Sequence, residues 1–397
     1  MIHLIHNNCL AIQIRARPWM PGRRGAIVRA CLLAALPWLV TPPTDASGLL
    51  LQEQPRVVRN GSRPMEDCEL RLERDLVLGV ADQPEEQAFG SIMASAVAED
   101  GSIFIVDGAN RQVSVFDSNG NFVRRFGRRG RGPGEFEFPY RIRVTEAEVY
   151  VYDRSIHRIN VYDLAGNFVR DGLVPFATMA QPFFVPAGPD RLYFAGITRD
   201  IDNIHVIHEL DGRFRRIRSF GRVPPIKDSL AIEYLSSGDL EVDDEGNLWF
   251  APLTAYEIHR YSPAGELELI ITREHNFQFE PRPYANIGPD PRGGGMTRFA
   301  VDNNRAFSLN IDIDKAGRIW HFVRDVPNGR MVVDVFSREG RFLRSYSFPI
   351  ENAPAKIDRE GRFYSISSRA GFPQLIRYRG LVTGSSRRGG AQCSDIF

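Results

Sequence analysis

The stretch "VSVFDSNGNFVRRFG" (residues 113–127) is answered 46 positions later by "INVYDLAGNFVRDGL" (159–173). Phe116-Asp117 falls opposite Tyr162-Asp163, and GNFVR recurs unchanged. A third copy, "VIHELDGRFRRIRSFG" (206–221), places turn glycines Gly120, Gly166 and Gly212 at even spacings of 46 residues. Looser copies follow at 258–271 ("IHRYSPAGELELII") and 332–348 ("VVDVFSREGRFLRSYSF"). Each is a short alternating strand, a tight turn rich in Asp, Asn and Gly, and a second strand, which is a hairpin signal.

A second hairpin type precedes each of these. "AEDGSIFIVD" is echoed by "TEAEVYVYD", "PAGPDRLYFAG", "DDEGNLWFAP", "DKAGRIWHFV" and "DREGRFYSIS". There are six hairpins of this first type but only five complete ones of the other. The last repeat ends at "QLIRYRGLV" (374–382), and an orphan strand, "CELRLERDLVLG" (68–79), stands at the other end. The count predicts an all-β fold, a six-bladed β-propeller of four-stranded blades. Blades are expected near 97–127, 142–172, 183–221, 239–272, 308–348 and 353–382. The N-terminal strand 69–78 should close the last blade by pairing with 374–381, so that no blade is left with an open edge.

"GSIFIVDGANRQVSVFDSNGNFVRRFGRRGRGPGEFEFPYRIRV" (101–144) resembles an NHL-type repeat. It carries D-x-x-N-x-x-V-x-V-F-D, then G-x-x-G-x-G-P-G-E-F, then P-x-x-I. The match is specific over roughly residues 97–170 and fades to hairpin pattern in later blades. NHL repeats imply a six-bladed propeller and occur in enzymes and binding proteins alike, so the resemblance does not fix function.

The Arg-Gly run "GRRGRGPGEFEFP" (127–139) looks like a phosphate cradle. It lacks the Lys-Ser/Thr of a phosphate loop, and no helix follows it. It reads as the connection from one blade to the next, with glycines for positive-φ geometry and prolines to stiffen the crossing. Long connections at 127–139, 172–182, 221–238 and 273–307 all fall on one face of the ring, where binding residues gather on a rigid scaffold. Arg128, Arg129, Arg131, Tyr140, Arg141, His157 and Tyr256 are the candidate ligand contacts of that face.

The charge of the chain nearly cancels, with Lys+Arg 50 against Asp+Glu 49, which argues against a nucleic-acid partner. Lys occurs only at positions 227, 315 and 356. There is no G-x-S-x-G, no H-E-x-x-H and no Cys/His zinc spacing. Peptidyl-amidating lyases resemble this repeat, but the His ligand that the resemblance would place after the Gly-Pro-Gly loop is replaced here by Pro139-Tyr140-Arg141. Gluconolactonase-like propellers hold a channel metal with Glu, Asn and Asp. The alternations "DLEVDD" and "SLNIDID" offer Glu241, Asn310 and Asp312 as a possible Ca²⁺ set.

Arg23 and Arg24 precede the apolar run "ACLLAALPWLV" and the small residues "TDASG", the layout of a secretory signal. Residues 1–47 are expected as signal peptide and leader, 48–67 as linker, 68–383 as propeller and 384–397 as flexible tail. Removal of the leader would leave Cys68 and Cys393, a pair expected to join in an oxidising compartment. The sequence thus predicts a periplasmic or extracellular monomer with no membrane span in its mature chain. It binds a protein, peptide or small molecule on the long-loop face without catalysis. The alternative is a Ca-dependent hydrolase or lyase.

Overall fold

The computed structural model describes residues 54–80, 84, 88–174, 183–196, 205–222, 237–253, 255–277, 308–325, 328–386 and 393. The chain divides into two compact units, 1–52 and 53–397, and the description concerns the second. The expected leader and most of the loops 172–182, 221–238 and 273–307 lie outside the described residues.

Among the described residues twenty-five strands make six sheets. Strands β1 (Arg56–Asn60) and β2 (Glu66–Leu78) precede the blades. Blade one is β3 (Ile92–Val97), β4 (Ile103–Asp107), β5 (Gln112–Phe116) and β6 (Phe122–Phe126). Blade two is β7 (Pro139–Val144), β8 (Glu148–Asp153), β9 (Arg158–Asp163) and β10 (Phe168–Leu173). Blade three is β11 (Phe183–Pro186), β12 (Arg191–Ala195), β13 (His205–Asp211) and β14 (Arg216–Arg222). Blade four is β15 (Gly238–Val242), β16 (Leu248–Pro252), β17 (Ile258–Tyr261) and β18 (Leu267–Arg273). Blade five is β19 (Ser308–Ile313), β20 (Ile319–Asp325), β21 (Arg330–Phe336) and β22 (Phe342–Pro349). Blade six is β23 (Lys356–Ile357), β24 (Phe363–Ser367) and β25 (Gln374–Ser386), with β2 as its outermost strand.

The first strands of the blades pack side by side around the axis, β3 on β7, β7 on β11, β11 on β15, β15 on β19 and β19 on β23. Second strands read as unbroken apolar runs, such as "IFIVD" and "LWFAP", because both faces of a blade are covered by its neighbours; every residue of these two strands is buried. The core is correspondingly divided into six clusters, one in each gap between consecutive blades. Each fully buried Phe, Leu or Ile there contributes about 1.5–3 kcal/mol.

The repeated turn has one physical cause. An Asp at its first position accepts backbone N–H bonds from residues two and four further on, as Asp117 does from Asn119 and Asn121 and Asp358 from Glu360 and Arg362. The residue three after the Asp takes positive φ, hence Gly120, Gly166, Gly246, Gly317 and Gly361. In blade three that position is Phe214, at φ 60°, and its N–H bonds Asp211 O at 2.8 Å. Gly212 is therefore not the counterpart of Gly120 and Gly166, and the even spacing of 46 is coincidental. Phe214 meets the conformational cost by burying its ring against Gly172 of the preceding blade.

β2 pairs antiparallel with β25 over its length, Glu69 opposite Thr383 and Leu78 opposite Leu375. The segment expected as linker is partly structured. β1 adds to the outer edge of blade four, parallel to β18, and Asn60 bonds Gly340 O and Phe342 N–H of blade five. Likewise the segment expected as a tail contributes to β25 as far as Ser386, and Cys393 is buried. Cys68 and Cys393 form a disulfide with Cα atoms 5.9 Å apart, inside the cluster between blades five and six.

This bond closes a loop of 325 residues. Reduction, or Cys393→Ser, should lower unfolding free energy by about 4–5 kcal/mol, read from guanidinium midpoints. Mass spectrometry after non-reducing alkylation should find both thiols blocked. Two alkylated cysteines, or a midpoint indifferent to reductant, would contradict the staple.

Candidate functional site

Strand β7 reads "PYRIRV". Strand alternation sends Ile142 into the core between blades one and two and turns Arg141 and Arg143 the other way. Arg143 reaches past blade three to blade four. Its Nη2 donates to Asp239 Oδ1 at 3.0 Å and to Leu240 O at 3.0 Å, its Nη1 to Glu241 Oε1, and its Nε to Phe184 O at 3.1 Å. The second oxygen of Asp239 accepts the Ile311 N–H of blade five at 3.1 Å. Asp312 Oδ2 in turn accepts the Ile357 N–H of blade six at 2.9 Å and the Asn310 side-chain amide. A polar belt thus runs from blade two to blade six around the axis.

Asp239 is fully buried, and the Arg143 and Glu241 side chains are only 17% and 18% exposed. Burial works against the Arg143 charge, but Glu241, Asp239 and Asp312 more than offset it and hold its pKa above the usual value. Burial lifts the Glu241 carboxyl, and Arg143 pulls it back. Asp312 lacks such a direct cation. Burial, reinforced by the negative field of Glu241, pushes it up to about 8 against the attraction of Lys356.

Glu241, Asn310 and Asp312 do gather near the axis, yet they do not fit a metal. The Arg143 guanidinium already pairs with Glu241, and Asn310 presents its amide N–H to Asp312. Among the described residues no three His, Cys, Asp or Glu side chains are grouped to hold an ion.

Beside the belt lies a cavity of 210 Å³. It exists because the first strand of blade six is only two residues long. β23 covers Phe363 and Tyr364, so Ser365, Ile366 and Ser367 of β24 have no strand on their inner side. The walls include Met93 of blade one, Arg141 and Arg143 of blade two, Phe183 and Phe184 of blade three, Asn310 of blade five, and Lys356, Ser365 and Ile366 of blade six. These residues sit where first strands begin and β24 ends, which is the long-loop side. The Arg141 guanidinium lies 4.1 Å from the Phe183 ring centroid, a cation–π contact, and burial lowers its pKa. Beside it Phe138, 37% exposed, stacks on Tyr140, whose ring also receives Arg154 at 5.2 Å.

Of the candidates from sequence, Arg141 and Asn310 therefore share one cavity, with Tyr140 beside Arg141. The others are elsewhere. The loop 127–139 is folded on itself: Phe136 is fully buried, its N–H bonds Arg128 O, and Gly132 N–H bonds Glu135 Oε2 at 2.8 Å. Arg128 pairs with Glu135 and Arg131 with Glu137 on the exposed side, next to Arg129. His157 takes φ 50° and bonds Tyr152 at 3.0 Å. Tyr256 is buried between blades four and five, where its hydroxyl donates to Asp334 and accepts from Arg273. Sequence reasoning missed Arg143, Phe183 and Lys356. The alternation Arg141-Ile142-Arg143 and the scarcity of lysine were the available signals.

Residues 84–220 match a family model described as 6-bladed beta-propeller. A stretch of 78 residues is 32% identical to Protein brain tumor of Drosophila melanogaster; it covers 19% of this chain, and the chain spans 8% of that protein's length. A protein of Bacteroides fragilis whose name describes it as exported superposes with a TM-score of 0.55 at 14% identity, over 82% of this chain and 99% of its own. Virginiamycin B lyase from Staphylococcus aureus gives 0.45 at 13% identity, over 79% and 99%. At its identity the Bacteroides fragilis structure shows a common fold alone.

The raised Asp312 value has a pH consequence. Burial pushes its carboxyl above the ordinary carboxylate range, up to about 8, so the folded state holds the proton more tightly than the unfolded chain. Stability from this group is complete below about pH 4 and is lost as pH rises toward 8. Asp312→Asn should flatten the urea-midpoint profile over that window, removing the wild-type loss of stability with rising pH. Parallel profiles for the two proteins would contradict the assignment.

Proposed function

We propose that this is an exported NHL-like propeller that binds a small ligand in the cavity on its long-loop side and performs no chemistry of its own. The cavity carries the reading: it is concave, has apolar walls with a few convergent polar groups, and lies at the mouth of a rigid ring. Among the described residues its lining includes hydroxyls and cations but no histidine or carboxylate to serve as a base. Ser308 and His321 do pair at 2.9 Å, yet both are fully buried, and burial pushes the histidine down to about 3, a weak base. The Cys68–Cys393 bond supports export, since such bonds persist in oxidising compartments.

Thermal-shift screening of a small-molecule library against the wild type and Ile366→Trp tests this. Ile366 is 44% exposed at the cavity wall, so a larger ring there fills space without disturbing the core. Ligands of the cavity should raise the melting temperature of the wild type and leave that of the filled variant unchanged. Equal shifts in both proteins, or no shift from any compound, would contradict it.

A further inference from the structure

We infer that β1 supplies blade four with the inter-blade arginine that its own outer strand lacks, and so acts as a detachable latch on the seam between blades four and five. This is independent of what the cavity binds.

The outer strands share a position, four residues after the positive-φ residue of the turn. It is Arg124 after Gly120, Arg170 after Gly166, Arg218 after Phe214 and Arg344 after Gly340. Each of these guanidiniums crosses to the next blade. Arg124 donates to Leu164 O, Arg170 to Gly212 O at 3.2 Å, and Arg218 to Pro263 O at 2.6 Å and to Ala264 O. All four carbonyls belong to the turn between the third and fourth strands of the neighbouring blade. Blade six does the same from its third strand, where Arg377 donates to Ser118 O of the blade-one turn at 2.7 Å. Arg344 meets the Glu66 carboxylate instead, at the start of β2. Blades radiate from the axis, so the gap between neighbours widens outward. A long arginine spans it there, and its charge strengthens the bond to a carbonyl.

Four residues after Gly265, blade four has Leu269, which is fully buried and cannot donate. In the register of β1 on β18, Leu269 stands opposite Arg56. Arg56 Nη2 donates to Glu339 O of the blade-five turn at 2.9 Å. The missing guanidinium is thus restored at the same level of the blade by a distant segment. Asn60 secures the other end of β1. Its amide donates to Thr272 O at 3.1 Å and Gly340 O at 2.9 Å, and its side-chain oxygen accepts the Phe342 N–H at 3.0 Å. Between these anchors Val58 and Ile271 press against the blade-five turn, so close that a Cβ on Gly340 would lie 3.3 and 3.0 Å from them.

β1 is five residues long, lies at the end of its sheet and leaves Arg56, Val57 and Arg59 exposed. A strand held along one edge opens at lower free energy than the strands it covers. Asn60 pairs with Arg273, which bonds Tyr256 and Asp334 across the same seam. Release of β1 therefore loosens the seam at the base of the connection 273–307.

Hydrogen exchange of the full chain, read by mass spectrometry at turns 163–167, 211–215, 262–266 and 337–341, tests the latch seam by seam. Arg56→Met should speed exchange at 337–341 by about threefold or more and leave the other turns unchanged. Arg124→Met should do the same at 163–167 and leave 337–341 alone. Asn60→Ala should speed exchange of β1 and of the Phe342 N–H by about tenfold. In the wild type, β1 should exchange faster than β17. Turn 337–341 as protected in Arg56→Met as in the wild type would overturn the latch, as would all four turns quickening alike, the mark of a global loss of stability. Wild-type β1 exchanging as slowly as β17 would show that the strap does not detach.

Discussion

The Arg143 guanidinium is the constraint around which the channel is arranged. One side chain from blade two bonds a backbone carbonyl of blade three and two carboxylates of blade four. Without it, Asp239 and Glu241 would be charges buried without a direct cation, which costs several kcal/mol per ion. With it, Asp239 is free to accept from blade five through its other oxygen, and the belt continues to blade six through Asp312. The same arrangement spends the carboxylates on one side of the axis. Lys356, on the cavity wall, makes no ion pair among the described residues.

A closed ring needs one more device, because the chain must begin and end somewhere. Strands β2 and β25, from opposite ends of the sequence of strands, meet in blade six. Strand β2 completes it, and the preceding segment straps the outer edges of blades four and five through β1, Asn60, and the Glu66–Arg344 pair. The disulfide joins the first residues of β2 to the chain beyond β25. Blade six is also where the first strand is shortest, so the seam and the cavity occur in the same blade.

Much of this was legible in sequence because each repeat solves the same local problem. Asp at the turn start and Gly three residues later specify the hairpin from within five residues, so strand count, blade number and the closing strand could be read directly. Where a turn departs from Gly, as at Phe214, the pattern shifts register by two residues and misleads, since the ring packing that tolerates φ 60° involves another blade. The site was less legible for the same reason. Glu241, Asn310 and Asp312 were placed near the axis by alternation, but Arg143, the partner of Glu241, lies 98 residues earlier in the chain, where nothing local marks it. Tyr256 was taken for a loop-face residue, whereas its hydroxyl is fixed to Asp334, 78 residues away. Pairings set by closure of the ring are invisible to short-range pattern; pairings within a hairpin are not.

The central claim is that Arg143 and Glu241 are bound to each other, with a guanidinium where a metal would otherwise serve. A double-mutant cycle of Arg143→Met and Glu241→Gln, followed by urea unfolding at pH 7 with and without Ca²⁺, tests it most directly. Each single change should destabilise the ring, the arginine change more, by about 3–5 kcal/mol. The two should be coupled by about 2 kcal/mol or more, with Ca²⁺ leaving the wild type unchanged. A coupling within about 0.5 kcal/mol of zero would show that the two side chains act independently. If Ca²⁺ stabilised the wild type and not Glu241→Gln, the carboxylates would belong to a metal and the account would be wrong.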